Sequence, residues 1–536
     1  MDTIALGFAI VAYLYFAWRR LRRYLHIFQQ EEYSGPRFLD WIARSAAFDK
    51  RLSGALAGLL LIAWIGTANA WPTTTLALAG VALLASGLLE PDPERAAKKK
   101  LVMTNRAWRI LGVAMTLAVV LAGVVAVLRL EAHWTLLALI VAIQILPLAL
   151  VAANLCLIPV ETHIQNGFRR AAESRLRAVG PKVVGITGSF GKTSVKHILG
   201  HVLEMTTNTL YTPGSVNTVM GIARIINERL RDNCRFFLVE MGAYGVGSIE
   251  RLCKFTPPDQ GIITSIGAAH YERFKDLDTV ARAKFELAEA VVARNGRMVI
   301  HTQVLDEPYA RSFVDRDRDR FVIVGESPEA DVKVRSVVQK QDGLHVEIAH
   351  GPAIHRLYAP LYGLHHGHNM ALAFAFAVEM GQSPAHVVQA LRSTPQIAHR
   401  LELKSLSSGA RLLDDAYNSN PSGFANALDL LDTLRRPGGR RILVTPGVAE
   451  LGARHDEVHA DLGRKAAHKT DITIAVRPER IAAFTRTFTN AGTDAELIEC
   501  DRFDEAQQWL DANLGPEDIV LIENDLPDVY ERVFKT

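Results

Sequence analysis

A glycine turn that carries a lysine and hydroxyl groups follows an apolar strand at residues 183–199, VVGITGSFGKTSVKHIL. Gly188 and Gly191 let the backbone approach phosphate oxygens closely, and the amides that open the following helix favour an anion. In loops of this kind the lysine, here Lys192, reaches the β- and γ-phosphates, and the hydroxyl of Thr193 holds Mg²⁺. The stretch therefore predicts a nucleotide-binding loop.

Two later strands place ligand-type side chains where each strand ends. Glu240 closes the strand in RFFLVEMGAYG, and His270 follows the next strand in GIITSIGAAHYERF. In doubly wound sheets, ligands gather at the carboxyl ends of the strands. A carboxylate and a neutral imidazole also suit Mg²⁺ beside a triphosphate. Each residue alone is an ordinary strand end or loop residue, but together, behind a phosphate loop, they predict one site.

Lys284 follows on a helix, in ARAKFELAEA. Two interpretations stay open. The lysine either belongs to the same site or is a solvated surface residue paired with Glu286 or Glu289, because the sequence also suits an ordinary helix.

The elements that position these residues begin only after an apolar third of the chain. Runs of about 16–25 apolar residues fit a bilayer core of about 30 Å. Five spans are predicted: Thr3–Trp18, Leu52–Trp71, Pro72–Leu89, Trp108–Leu130 and Trp134–Ile158.

Loop charge predicts the orientation of these spans. The basic runs RRLRR (19–23) and ERAAKKK (94–100) follow the first and third spans, which favours a cytoplasmic position for both. The chain begins Met1-Asp2, without the basic start of a cleaved signal peptide. We expect an integral protein of a bacterial-type inner membrane, with its N-terminus outside and everything after Ile158 in the cytoplasm.

The predicted spans hold few polar residues, chiefly Gln144 and Asn154, whereas transporters usually carry intramembrane charges. An anchor or platform is therefore expected. Gly54 and Gly58 form a GxxxG pattern that suits helix packing. The aromatic and charged loop 24–51 is expected to lie in the membrane interface.

From Lys182 the pattern changes to alternating strands and helices, which is typical of a parallel sheet covered on both faces. Four strands are predicted first: Val183–Thr187, Phe236–Glu240, Gly261–Thr264 and Met298–His301. DVKVRSVV and GLHVEIAH predict an antiparallel addition, and a second strand–helix series begins near Arg400. The fold class is α/β, with a transmembrane domain at 1–158, a basic connector at 159–182, a central domain at 183–396 and a C-terminal domain at 397–536.

Composition excludes some classes of function. A net charge of +3 over 536 residues does not indicate a nucleic-acid-binding protein. The four cysteines lack the spacing of zinc or redox motifs and are expected to be reduced.

The order of the motifs resembles the Mur ligase family over about residues 183–530. In chain order these motifs are GxxGKTS, TPGSxN, VEMGA, AAHxERF, RAKxEL, GHN, HR, DDAYNSNP and ELG. DDAYNSNP (414–421) is the most specific, because eight such residues have little packing rationale. The nearest branch adds D-alanyl-D-alanine to a muramoyl tripeptide.

The resemblance implies ATP and Mg²⁺ as cofactors, a phosphate-loop central domain and a Rossmann-like C-terminal domain. The implied nucleotide contacts are Gly188, Ser189, Gly191, Lys192, Thr193, Ser194, Asn369 (to adenine), Arg400 and Asp415. The implied metal ligands are Thr193, Glu240, His270 and Lys284, the last as a carbamate. The implied catalytic residues are Lys192, His270 and Lys284.

The chemistry implied is ADP-forming amide ligation, in which a substrate carboxylate takes the γ-phosphate and an amine then displaces it from the acyl phosphate. We expect a membrane-anchored ligase that joins an amino acid or dipeptide to a carboxylate acceptor, lipid-linked or free, of the cell envelope or peptidoglycan. Two alternatives stay open: a poly-γ-glutamate-type polymer synthase and a non-catalytic, nucleotide-sensing membrane scaffold.

Three departures from the branch concern substrate recognition. The five spans occupy the place of a soluble domain that grips the UDP end of the precursor. PGVAELG (446–452) has Gly447 where the branch often carries an aspartate, and LIENDLPDVY (521–530) replaces a basic stretch. The histidines of HHGH (365–368) would suit a metal, but they lie within the GHN motif.

Overall fold

The computed structural model describes residues 3–45, 47–65, 71–93, 100–243, 245–267, 276–416, 420–449 and 451–523. The described chain forms two compact units. One comprises residues up to Gln165 and the other comprises residues from Asn166 onward.

The first unit is helical. Its helices are Thr3–Gln30, Gly35–Arg44, Arg51–Ile65, Trp71–Leu89, Asn105–Leu128, Ala132–Gln144 and Leu146–Val179, the last of which continues into the second unit. Three helices among the described residues are long and apolar enough to cross a membrane: Thr3–Gln30, Asn105–Leu128 and Leu146–Val179.

The predicted fifth span, Trp134–Ile158, is not one continuous helix, because the helix ends at Gln144 and a new one begins at Leu146. Pro147 explains the break, since proline has no N–H for the preceding turn and its ring clashes with the carbonyl four residues earlier. The count of five spans therefore stays a prediction.

Glycines pack the first and fourth helices together. A Cβ atom at Gly80 would lie 2.5 Å from Phe8 Cδ1, and one at Gly87 would lie 2.8 Å from Tyr15 Cδ1. Among the described residues, nothing lies within 4 Å of a Cβ built at Gly54 or Gly58. The close helix contact thus uses a pair of glycines other than the GxxxG pattern.

The segment 24–51 is tied into the first unit, and its position in the membrane interface stays a prediction. The first helix continues to Gln30, and the aromatic side chains of Phe38 and Trp41 are buried. Gln144 Nε2 donates to Asp49 O (2.6 Å), and Asn154 Nδ2 donates to Tyr33 O (3.2 Å). The two polar residues noted in the predicted spans therefore hold this segment in place.

The second unit begins with a nine-stranded sheet. Its strands are β1 Lys182–Thr187, β2 Thr209–Tyr211, β3 Phe236–Glu240, β4 Gln260–Ile263, β5 Met298–His301, β6 Phe321–Gly325, β7 Val332–Lys340, β8 Gly343–His350 and β9 Ala353–Ala359. The spatial order is β2-β3-β1-β4-β5-β6-β7-β8-β9, parallel as far as β7 and antiparallel beyond it. Apolar clusters cover both faces, as the alternating pattern predicts.

A second, six-stranded sheet follows. Its strands are β10 Glu402–Ser405, β11 Arg411–Asp415, β12 Arg441–Thr445, β13 Ile472–Val476, β14 Glu496–Cys500 and β15 Ile519–Glu523, in the order β10-β11-β15-β12-β13-β14. All neighbours are parallel except β10 and β11. This doubly wound arrangement matches the predicted Rossmann-like domain.

The helices of the second unit lie between these strands. They are Lys192–Glu204, Val219–Arg229, Ser248–Phe255, Leu277–Val292, Pro308–Arg316, His365–Glu379, Pro384–Leu391, Pro421–Leu434, His455–Lys469, Ala482–Thr489 and Phe503–Asn513. The four strands predicted first are confirmed to within one residue at each end, whereas β7 extends two residues beyond the predicted DVKVRSVV, to Lys340. Strands β2, β6, β9, β10 and β14 were not predicted. Of these, β2 and β10 are short and carry no long apolar run.

Candidate nucleotide and metal site

The phosphate loop accepts only glycine at two positions. Gly188 has φ +149°, and a Cβ there would lie 1.9 Å from Thr264 Oγ1. Gly191 has φ +82°, and a Cβ there would lie 2.7 Å from Asn369 Oδ1. The left-handed backbone and the close neighbours together explain both residues.

Hydrogen bonds to the end of β4 hold the loop open. Ser189 Oγ donates to Gly267 O (2.9 Å) and accepts from Gly267 N (2.8 Å). Phe190 N donates to Ser265 Oγ (2.9 Å). Ser194 is buried in the first turn of the following helix, so the loop is fixed on both sides.

The Lys192 side chain folds back over the loop. Its Nζ donates to Gly188 O (2.6 Å) and to Ser189 O (3.1 Å). Burial lowers the pKa of Lys192 to about 8, and the cations of Arg400 and Lys196 act against the raising effect of Glu240. A bound phosphate would give the Lys192 ammonium a negatively charged partner in addition to these two carbonyl oxygens.

Glu240, at the end of β3, accepts hydrogen bonds from three side chains. Thr193 Oγ1 and Lys196 Nζ each donate to Glu240 Oε2 at 2.9 Å. Asn217 Nδ2 donates to Glu240 Oε1 at 3.4 Å. The two predicted metal ligands described here, Thr193 and Glu240, are therefore direct neighbours.

Lys284 lies inside the unit, with only 4% of its surface exposed. Burial, together with the charge of Lys192, lowers its pKa well below the ordinary lysine value. Glu286 accepts instead from Glu250 N (2.8 Å), and Glu289 accepts from Tyr309 Oη (3.0 Å). The interpretation of Lys284 as a solvated, paired surface lysine is therefore wrong, and its role at the metal stays a prediction.

Asn369 lies against the phosphate loop from the helix His365–Glu379. Its Oδ1 faces Gly191, and its Nδ2 donates to His366 Nδ1 at 3.3 Å. Burial lowers the pKa of His366 well below its ordinary value, so this imidazole is a neutral acceptor. The contact of Asn369 with adenine stays a prediction, and its side chain lies against Gly191 of the phosphate loop.

Arg400 is a cation at the start of the C-terminal domain. Its neighbours His399 and Leu401 both have positive φ, +57° and +53°. The Arg400 cation lowers the pKa of Lys192 and of His365, so its charge acts on the phosphate loop.

Asp415 completes this edge of the site. It accepts from Leu401 N (3.3 Å), and burial raises its pKa to about 6 against the lowering effect of Arg400.

Some predicted residues lie outside the described part of the chain. These are His270, residues 417–419 of the DDAYNSNP motif and Glu450 of the ELG motif. Among the described residues, one group of three side chains has metal-ligand spacing, His399, Glu402 and Asp414, and Lys404 Nζ already lies 2.7 Å from Asp414 Oδ2. The histidines of HHGH form no such group there.

The structure accounts for the glycine at 447. A Cβ at Gly447 would lie 2.4 Å from His459 Nε2 and 2.5 Å from Ile481 Cγ2. Val448 N donates to the same His459 Nε2 at 3.0 Å. An aspartate here would displace the imidazole that holds the loop.

Sequence reasoning gave no role to Lys196 or Asn217, although both contact Glu240. The spacing carried one signal, because Lys196 lies three residues after Thr193 and so shares its helix face. Asn217 belongs to the TPGSVN stretch, whose proximity to β3 only the sheet order reveals.

Two family models match the second unit. The model of the Mur ligase middle domain matches residues 186–377, and that of the Mur ligase glutamate ligase domain matches residues 399–523. This chain belongs to the Mur ligase family. Mur ligases are ADP-forming ligases that make C–N bonds and use ATP and Mg²⁺, and neither model extends into residues 1–185.

The relatives include UDP-N-acetylmuramoyl-tripeptide–D-alanyl-D-alanine ligases. That of Mycobacterium tuberculosis is 29% identical over 377 residues, 66% of this chain and 72% of the relative. That of Bacillus subtilis is 26% identical over 298 residues, and the chain spans only 63% of its length. The MurF ligase of Thermotoga maritima, solved with ADP, has the same fold (TM-score 0.57, 22% identity, 69% of this chain and 81% of that one).

The residues present fit ATP and Mg²⁺. The two constrained glycines form a cradle that side chains would fill, and Lys192 offers a cation to phosphate. Thr193 and Glu240 offer the hard oxygen ligands that Mg²⁺ prefers.

Proposed function

We propose that this protein is a membrane-anchored, ATP-dependent ligase that joins an amino acid or dipeptide to a carboxylate acceptor of the cell envelope through an acyl phosphate. The acceptor is a muramoyl-peptide-like carboxylate, by analogy with the names of the relatives. The proposal places the second unit in the cytoplasm, where ATP is available.

One observation carries the enzymatic part of this proposal. The phosphate loop, the Thr193–Glu240 pair and buried Lys284 meet within one unit, and Arg400 of the C-terminal domain lies beside them. ATP supplies the phosphoryl group that activates the carboxylate. Lys192 and Arg400 neutralise charge on the phosphates, and the glycine cradle orients them.

The surface of the first unit supports the membrane anchor. Large apolar side chains project from its helices with most of their area exposed, for example Trp64 (75%) and Val127 (81%). A patch of this kind is costly in water and favourable against lipid tails. The anchor precedes the ligase domains in the chain, and this order supports an acceptor that is presented at the membrane.

The test is product identification. Membranes that contain the protein are supplied with ATP, isotope-labelled amino acids or D-alanyl-D-alanine, and either lipid-linked or UDP-linked acceptor fractions. ADP release and a labelled product, found by mass spectrometry, are the expected result.

The matched variants are Lys192→Ala and Lys254→Ala. Loss of one charged phosphate contact is worth about 1.5–3 kcal/mol in binding alone, which is roughly ten- to a hundredfold. The loss is larger where the contact strengthens during phosphoryl transfer, so Lys192→Ala should abolish measurable ligation without affecting membrane insertion. Lys254 is exposed on a surface helix, so its variant should match the wild type. ADP release without any amide product, or equal activity of the Lys192 variant, would contradict the proposal.

A further inference from the structure

Lys196 is a fully buried cation beside the proposed metal site. Its side chain is 0% exposed, and its Nζ lies 2.9 Å from Glu240 Oε2. The same ammonium donates to Gly214 O in the TPGSVN stretch. A charge removed from water in this way needs a fixed partner, and Glu240 is that partner.

Three of the roughly four acceptor positions of the Glu240 carboxylate are occupied in this arrangement. Its Oε2 accepts from both Lys196 and Thr193, and its Oε1 accepts from Asn217. A divalent cation held by Thr193 and Glu240 would lie close to the Lys196 ammonium and would be repelled by it. The added negative charge of a nucleotide's phosphates would offset that repulsion.

We propose that Lys196 is a positioning residue that occupies Glu240 as a built-in counter-ion, so that the divalent metal binds with the nucleotide and not before it. The proposal rests on the proposed function, because it takes Glu240 as a metal ligand. It adds an order of binding and a residue that sets it.

The experiment measures Mn²⁺ binding to the full chain in detergent by electron paramagnetic resonance, with and without a non-hydrolysable ATP analogue. The test variant is Lys196→Met, which keeps an unbranched side chain one atom shorter and removes the charge. Lys196→Gln, a neutral donor, is the second variant. Lys254→Met, which removes an exposed ion pair with Glu250, is the control.

Without nucleotide, both Lys196 variants should bind Mn²⁺ about tenfold more tightly than the wild type, because the competing cation is gone. The gain in affinity produced by the analogue should shrink by the same factor. The Lys254 variant should show neither change.

Unchanged nucleotide-free affinity in folded Lys196 variants would overturn the proposal. Failure of both variants to fold would also overturn it, since the lysine would then act only in folding. Glu240→Gln tests the metal assignment separately from the role of Lys196. If this variant binds Mn²⁺ as tightly as the wild type, Glu240 is not a metal ligand and that part of the proposed function fails.

Discussion

Burial of the Lys284 amine bears directly on the chemistry proposed for it. An ammonium reacts poorly with CO₂, whereas a neutral amine can form a carbamate. Burial and the neighbouring Lys192 charge both lower the pKa of Lys284, which favours the neutral form. The side chain is thus prepared for the modification that the family resemblance implies.

Replacing Lys284 by alanine should cost several orders of magnitude in ligation if its carbamate contacts magnesium. Short carboxylic acids should restore part of the rate, because they place a carboxylate in the vacated space. Initial rates with and without added acid give the measurement. A variant with normal activity would refute the role of Lys284, and loss of activity without rescue would argue against the carbamate.

His459 makes stability depend on pH. It is fully buried, accepts from Val448 N (3.0 Å) and donates to His455 O (2.8 Å). Burial lowers its pKa from 6.5 to about 4, so the unfolded chain takes up a proton first as the pH falls. The free energy of unfolding is therefore unaffected by this proton uptake well above pH 6.5. It falls by about 3 kcal/mol as the pH falls from 6.5 toward 4.

Pulse proteolysis in urea at a series of pH values would measure this effect. The wild-type C-terminal domain should lose stability between pH 6.5 and 4. His459→Gln should be less stable at neutral pH but flatter across that interval. Parallel curves for the two proteins would exclude His459 as the cause.

At the scale of elements, the loop after β12 offers a controlled comparison. Gly447 and Gly438 both have φ +79°, but only Gly447 has close neighbours at its Cβ position. Both aspartate variants carry the backbone strain, and Gly447→Asp adds overpacking worth about 1–3 kcal/mol. Thermal unfolding should therefore rank Gly447→Asp below Gly438→Asp, and equal midpoints would show that the loop relaxes freely.

The helix pair in the first unit allows a similar comparison. Gly80→Leu should separate the helices Thr3–Gln30 and Trp71–Leu89, because a Cβ there meets Phe8 at 2.5 Å. Gly54→Leu should be tolerated, since no described atom lies within 4 Å of its Cβ position. Thermal aggregation in detergent would compare the variants, and equal melting would refute this packing.

For the whole molecule, topology is the quantity to test. Three long spans and five predicted spans both place the two chain ends on opposite sides of a membrane. They differ at residues 66–70, which are outside only if Arg51–Ile65 and Trp71–Leu89 both cross.

Impermeant maleimide labelling of Asn69→Cys, with Cys156 replaced by serine, would distinguish the two cases. The proposal predicts labelling from outside, a tag before Met1 accessible from outside and a reporter after Thr536 in the cytoplasm. A protected Asn69→Cys would favour three crossings, and a cytoplasmic tag before Met1 would overturn the orientation.

The sequence by itself determined the class of the protein, most of the parallel strands and the identity of the phosphate loop. These follow from local signals: apolar period, glycine position and the residue type at a strand end. The helix break at Pro147 also follows from a local signal, the proline itself.

Only the tertiary structure determined which residues surround the loop. β1 lies between β3 and β4, which brings Glu240, Thr264 and Gly267 to one edge although the chain separates them. Lys284 became a buried amine, and Lys196 became the partner of Glu240, through contacts across 44 or more residues. Such contacts depend on how the helices pack on the sheet, and the apolar periodicity of a single segment does not predict them.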